Sequence, residues 1–247
     1  MAVQNTLASK KPTTNAGLVE YESGGEKVKL SLSMIRQYLV NGNGAVTDSE
    51  AMMFLSLCKF QHLNPFLREA YLVKFGDKPA TMVVGKDVFT KRARRNPDYI
   101  GKQAGIIVQE IETGKLIERE GTFYIKTEEK LLGGWCRVYI KGYEHPEYTA
   151  VSFEEYAGRK TNGELNNQWA TKPATMIRKV AIVHALREAF PEETAGMYAA
   201  EEIPTATEVV LNDTAQAPIQ IPAEAAPPVP AEVPASAAED VQGALFG

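Results

Sequence analysis

Three groups of cations in this chain stand beside aromatic residues or helix-terminal signals, and each has the spacing to meet a polyanion. In Trp135-Cys136-Arg137-Val138-Tyr139-Ile140-Lys141 the side chains separate by parity: Cys136, Val138 and Ile140 fall on one face of a strand, Trp135, Arg137, Tyr139 and Lys141 on the other. Flat rings alternating with cations offer stacking faces to unpaired bases and counter-charge to phosphates. The plainer alternative is a solvated sheet face carrying cross-strand cation-π pairs.

The second group is Lys86, Lys91, Arg92, Arg94 and Arg95, with Lys102 just beyond. Cations packed this densely wrap much of a helix and repel one another unless an anion is near; late-helix cations also suit the macrodipole. The third group, Lys172, Arg178 and Lys179, opens the last long helix, with Trp169 a turn ahead of Pro173. Lys172 and Lys179, seven apart, share an outward face, and the free N-H groups of that helix start add to an anion site. Trp169 is either a stacking ring or a core residue closing the start of the helix.

Signals for covalent chemistry are weaker. Gly85-Lys86 is followed by Asp87, so the phosphate loop of a nucleotide-driven motor is missing. Cys58 and His62 stand four apart on a helix, but Cys136, His145 and His184 are each isolated, so a buried thiol and a hydrogen-bonded histidine are expected in place of a metal site. Pro97-Asp98 with Glu128-x-Lys130 matches a loose metal-dependent nuclease pattern, which needs its carboxylates on adjacent strand ends. Glu154-Glu155 is better explained by helix capping. No cofactor or metal is expected.

The elements that must position these groups read as α+β. Ser31 to Val40 is a short helix closed by Asn41-Gly42-Asn43-Gly44, and Thr47-Asp48-Ser49-Glu50 is a capping box opening a helix through His62. A hairpin joins Tyr71–Phe75 to Ala80–Val84, and a basic helix runs from about Asp87 to Arg95. An antiparallel meander follows: Ala104–Ile111, Leu116–Ile125, Thr127–Lys130 leading into Trp135–Lys141, then Tyr148–Val151. Ser152-Phe153-Glu154-Glu155 is a second capping box, and Pro173 opens a helix to about Phe190.

Across 247 residues the net charge is -4, which by itself speaks against a polyanion binder. From Ala199 onward, however, there are eight acids and no Lys or Arg, leaving 27 basic against 23 acidic residues, or +4, in 1–198. Three segments are therefore expected: a mobile arm over 1–28, a core over 29–198, and a disordered acidic Pro/Ala-rich tail over 199–247. Two cysteines and a polar N-terminus without an apolar signal segment point to the cytoplasm, and no apolar run approaches the roughly 20 residues that span a bilayer.

Taken together, Leu63-Asn64-Pro65-Phe66, Glu69-Ala70-Tyr71, Val83-Val84-Gly85-Lys86-Asp87, Arg95-Asn96-Pro97-x-Tyr99-x-Gly101, Trp169-x-x-x-Pro173-x-x-Met176-Ile177-Arg178-Lys179 and Ala189-Phe190 resemble the RecT/Bet family of phage single-strand annealing proteins. The resemblance spans about residues 30 to 200. It implies an ATP-independent, non-enzymatic recombinase that coats single-stranded DNA and anneals complementary strands through a duplex intermediate. Family members assemble as rings or helical filaments beside a partner exonuclease, within reach of the host single-strand binding protein. It further implies a β-β-β-α core and a basic groove supplied by the helix after Gly85, the third strand of the meander and the helix after Trp169. Where some relatives carry more Lys or Arg, this chain has Ala174, Thr175 and Val180. The segment Glu239-Asp240-Val241-Gln242-Gly243-Ala244-Leu245-Phe246-Gly247 resembles the protein-binding tip of bacterial single-strand binding proteins, which implies a partner contact.

Overall fold

A computed structural model describes residues 17–160 and 162–199. The chain opens with an antiparallel hairpin, β1 Val19–Ser23 and β2 Glu26–Leu30, turning at Gly24 and Gly25, both at positive φ. Tyr21 and Ser23 on β1 and Val28 and Leu30 on β2 point inward, with lysines and glutamates outward. The Tyr21 hydroxyl donates to the Leu63 carbonyl at 2.8 Å and Ser23 Oγ to that of His62 at 2.7 Å. This corrects the expected mobile arm over its described part: period-two alternation around Gly-Gly outweighs a polar composition. Residues 1–16 of that arm, and the tail beyond Ala199, lie outside the described residues.

Helix α1 Leu32–Tyr38 is capped by Ser31 and runs into β3 Val40–Asn41, which pairs parallel with β4 Ala70–Val73; β5 Thr81–Val84 completes a three-stranded sheet in the order β3-β4-β5. Gly42 is demanded by that pairing, since at φ +107 any Cβ would sit 2.0 Å from the Lys74 carbonyl oxygen. The expected capping box forms at α2 Asp48–Phe60, with the Thr47 amide donating to Glu50 Oε2 at 2.8 Å. The Glu50 carboxylate also accepts from Lys74 Nζ at 2.7 and 2.8 Å and from the Ala80 amide, tying α2 to the sheet. Lys74, followed by the Thr47 and Ala80 amides, pulls the Glu50 carboxyl down to about 2.

After α3 Lys86–Arg95 comes a four-stranded antiparallel sheet of β6 Tyr99–Glu110, β7 Leu116–Glu120, β8 Glu129–Ile140 and β9 Glu147–Ser152. Its order is β7-β6-β8-β9, so it is not the meander expected from sequence. The two twelve-residue strands, β6 and β8, pair along nearly their whole length, which leaves short β7 on the far side of β6. Thr127–Lys130 and Trp135–Lys141 are thus not separate strands: β8 runs from Glu129 to Ile140, with a register shift opposite Ile107 and Val108.

One helical turn, α4 Phe153–Tyr156, follows β9. Its expected capping box is absent: Ser152 makes no side-chain cap and is paired in β9 with Gly133. Then come α5 Asn167–Thr171, α6 Pro173–Ala189 with proline in its first turn, and α7 Pro191–Thr194. Ile177, Val180, Ala181, Val183, Ala185 and Leu186 are fully buried, which makes α6 the spine of the core against β8 and β9. The architecture is α+β, with helices packed on antiparallel sheets. Among the described residues no helix is long and apolar enough to cross a membrane.

Candidate functional site

Helix α3 buries Val88, Phe89 and Ala93. With that face inward, a 3.6-residue period sends Lys86, Thr90 and Arg94 to one flank and Lys91 and Arg95 to the other, while Arg92 lies close to the buried face. The five cations therefore serve two different surfaces.

On the first flank, Lys102 of β6 reaches α3, its Nζ 3.4 Å from Thr90 Oγ1. Gly134 of β8 brings in the third contributor. A Cβ there would meet the Ile177 carbonyl oxygen at 2.6 Å, so glycine lets the α6 backbone rest directly on the strand. Arg178, the next residue of α6, then donates from Nε to the Ala104 carbonyl on β6 at 3.1 Å. Lys86, Arg94 and Arg178 all lie close enough to act electrostatically on Lys102. Burial first, and then those three cations, hold the Lys102 ammonium below the ordinary lysine range. Among the described residues neither Arg94, Lys102 nor Arg178 has an ion-pair partner, while Lys86 meets only its exposed neighbour Asp87 at 3.2 Å. Beneath the group lies Cys136, whose thiol burial pushes up to about 11. Lys141 is exposed just past β8, and its amide donates to the Asp98 carbonyl at the same end of the sheet. Lys172 is exposed at the start of α6.

On the other flank, Lys91 pairs with Glu69 at 2.7 Å. Arg92 donates to the Gln61 side chain and the Glu193 carbonyl, each at 2.8 Å, and to the Gln61 carbonyl. Burial lowers the Arg92 pKa. That guanidinium clamps α3 to the end of α2 and to α7, so its expected place among phosphate contacts is corrected to a structural one. Arg95 is exposed.

Strand β8 holds its parity, but its outer face is closed. Trp135 is only 4% exposed, and its Nε1 donates to the Arg119 carbonyl at 3.3 Å. The Arg137 guanidinium lies over Trp135 at 4.6 Å and over Tyr148 at 4.7 Å, and pairs with Glu118 at 2.7 Å. Glu118 in turn accepts from the Tyr148 hydroxyl at 2.7 Å. Trp169 is buried edge-on against Phe153 at 5.6 Å. Neither tryptophan presents a free ring face, which corrects both as stacking candidates. Tyr139 stays half-exposed, its hydroxyl donating to Gln103 at 2.7 Å. Sequence reading missed Thr90, though its i, i+4 spacing from Lys86 and to Arg94 marks it. It also missed Glu118 and Tyr148, which only the sheet register brings to Arg137.

The remaining chemical candidates stand apart. Cys58 is buried beside Tyr21, and burial pushes its thiol up to about 12. His62 engages the Glu22 carbonyl through Nδ1 at 2.8 Å. His145 is exposed, and His184 packs edge-on against Tyr156 at 5.1 Å. Asp98 precedes the first residue of β6, whereas Lys130 pairs with Gln109 near its other end. At about 3.3 Å per residue those groups are some 30 to 35 Å apart, so the nuclease pattern cannot form one site.

The RecT family's sequence model matches residues 26–215, from the second strand of the hairpin past the end of the described residues, and so takes in every element that carries a cation named above. An uncharacterised protein of Ureaplasma parvum serovar 3 is 29% identical over 143 residues, covering 58% of this chain and 55% of that protein. The chain thus matches about half the length of that relative. With the match to the family model running through most of its length, the chain belongs to the RecT family.

Proposed function

We propose that this protein binds single-stranded DNA along the Lys86, Arg94, Lys102 and Arg178 cluster and anneals complementary strands in recombination, without nucleotide hydrolysis or covalent catalysis. The observation that carries the reading is the convergence of these cations from α3, β6 and α6, of which only Lys86 has an ion-pair partner among the described residues, its exposed neighbour Asp87. Like charges gathered at a helix-sheet junction cost free energy in the free protein, and phosphates remove that cost. Thr90, the outlying Lys141, Lys172 and Lys179, and the half-exposed Tyr139 extend the surface on which a strand can lie. Gripping backbones while base edges stay free lowers strand repulsion and raises effective concentration, which is all that annealing requires.

Work on long strands calls for repeated subunits. Met53 and Phe60, seven apart on α2, are 63% and 79% exposed, and Phe123 in the β7–β8 loop is 78% exposed. Exposed apolar side chains on two different elements suit head-to-tail contacts, the kind that close rings or extend filaments. A partner exonuclease, the host single-strand binding protein and a bacterial cytoplasmic setting complete the proposal.

The test mixes complementary oligonucleotides with the protein in EDTA and without ATP. Duplex formation faster than the spontaneous rate is expected. With about four phosphate contacts per subunit, log affinity for single strands should fall with log salt at a slope of about -3. Salt-independent binding, or protection of strands without faster annealing, would overturn the reading.

A further inference from the structure

The second flank of α3 borders a cleft of about 250 Å³ between the tip of the β1–β2 hairpin and the turn after α2. Leu63, Leu67 and Val88 give it an apolar floor, and Lys91, Arg92 and Arg95 stand along its α3 side. Leu67 is 49% exposed, a large apolar side chain with nothing over it in the described part of the chain. Of the two carboxylates in the lining, Glu69 is occupied by Lys91 and by the Asn64 amide, and Glu26 sits at the hairpin turn. Arg95 has no ion-pair partner among the described residues. The cleft thus asks for an apolar side chain next to negative charge.

We propose that its occupant is the segment Glu239-Asp240-Val241-Gln242-Gly243-Ala244-Leu245-Phe246 of the same chain. Two adjacent acids followed at short range by Val241, Leu245 and Phe246 supply both halves of the chemistry. The stretch from Ala199 onward, with eight acids and no Lys or Arg, is complementary in charge to the α3 side of the cleft. A cleft this small takes one or two side chains, and an exposed leucine in its floor favours an apolar group over a run of phosphates.

The connection also fits. The Tyr198 carbonyl accepts from the Val84 amide at 2.9 Å, so the described chain ends beside the start of α3. Ten residues of α3 span about 15 Å to the far end of the cleft. About forty residues lie between Ala199 and Glu239, and at no more than about 3.3 Å each their reach far exceeds that distance, so attachment to the same chain raises the effective concentration of the segment at the cleft. A contact too weak to see between separate molecules is therefore populated within one chain.

The experiment uses full-length protein with a fluorescent peptide of residues 232–247 in the absence of DNA and, in a separate arm, with a labelled oligonucleotide in the absence of peptide. The double variant L245A/F246A frees the cleft; the peptide should bind it at least about fivefold more tightly than it binds wild type, whose own segment competes. Leu67→Glu or Arg95→Glu in that background, both at exposed positions, should abolish peptide binding while circular dichroism stays unchanged, as should Phe246→Ala in the peptide. Equal peptide binding to wild type and the double variant, or binding insensitive to Leu67 and Arg95, overturns the proposal. So does an outcome in which the peptide fails to bind while Leu67→Glu and Arg95→Glu weaken oligonucleotide binding, since the cleft is then a nucleic-acid surface. The peptide readout is independent of annealing, so its failure and the failure of the single-strand reading are distinguishable.

Discussion

The outer face of the four-stranded sheet and the junction of α3, β6 and α6 have similar inventories and opposite electrostatics. On the outer face Arg137 lies between Trp135 and Tyr148 and pairs with Glu118, so one cation, two rings and one carboxylate neutralise and cover each other. At the junction Arg94, Lys102 and Arg178 gather with no ion-pair partner among the described residues. In the linear sequence the first looks the better polyanion site, because its rings and cations alternate. What separates the two is whether the fold supplies the counter-charge, and that depends on residues far from the motif: Glu118 in one case, its absence in the other.

The largest expected effect tests that difference directly. Arg178→Glu or Lys102→Glu should weaken single-strand binding by about tenfold or more at moderate salt, and neutral substitutions should lower the salt slope by about 0.7 for each phosphate no longer engaged. Arg137→Glu should leave both nearly unchanged. Fluorescence anisotropy on one oligonucleotide across a salt series measures all of these. If Arg137→Glu proves as damaging as Arg178→Glu, the comparison fails and the outer face belongs to the binding surface.

Next in size is Gly134→Ala. The added Cβ would press on the Ile177 carbonyl at 2.6 Å, so α6 must lift from β8 and carry Arg178 away from Ala104. We expect a loss of about 1 to 3 kcal/mol in chemical denaturation, together with weaker DNA binding by the protein that remains folded. A purely thermodynamic defect would show that the position of Arg178 on the sheet is immaterial.

How much of this was legible in the sequence can be traced residue by residue. The α3 cations were visible, and helical geometry alone separates Lys86, Thr90 and Arg94 from Lys91 and Arg95. The meeting of Arg178 with Lys102 was not visible, because it depends on Gly134 and on the pairing of β6 with β8. Leu131-Leu132-Gly133-Gly134 broke the alternation that would have marked β8 as one long strand, and the register shift there is the physical cause. The β1–β2 hairpin escaped notice because its outward lysines and glutamates dominate the composition. The capping box at Thr47 could be read because all its contacts lie within four residues, whereas the same pattern at Ser152 was overridden by strand pairing.

If the proposed surface binds single strands, Lys102 couples stability to that binding. Its folded-state pKa lies below the ordinary lysine value, so its charge opposes folding. The penalty is fully present below the folded pKa and is relieved as pH rises through that value towards the unfolded one, about 10.4. Lys102→Met should therefore raise the thermal midpoint by a few degrees near neutral pH while weakening single-strand binding. In wild type, affinity should decline as pH climbs into the alkaline range, and Lys102→Arg should flatten that decline. A methionine variant with lower stability and unchanged affinity would place Lys102 among ordinary packing residues.

The smallest effect belongs to the closed face. Glu118 is more than a third exposed, and Arg137 only slightly less so, so water screens their attraction and the pair is worth no more than about 1 kcal/mol. The Trp135 and Tyr148 stacks add a comparable amount. Glu118→Gln should thus cost only a few tenths of a kcal/mol in stability. Its informative consequence is electrostatic: removing the internal carboxylate leaves Arg137 between its two rings without its ion-pair partner, which is the condition of the cations at the α3 junction. If counter-charge is what distinguishes the two surfaces, Glu118→Gln should make single-strand binding slightly tighter, by no more than about threefold, and steepen the salt slope by less than one phosphate's share. That gain should vanish in the double variant with Arg137→Ala. A gain that persists without Arg137 would mean that Glu118 acts on DNA through the long-range field of the protein, and that neutralisation within the sheet is not what keeps this face silent.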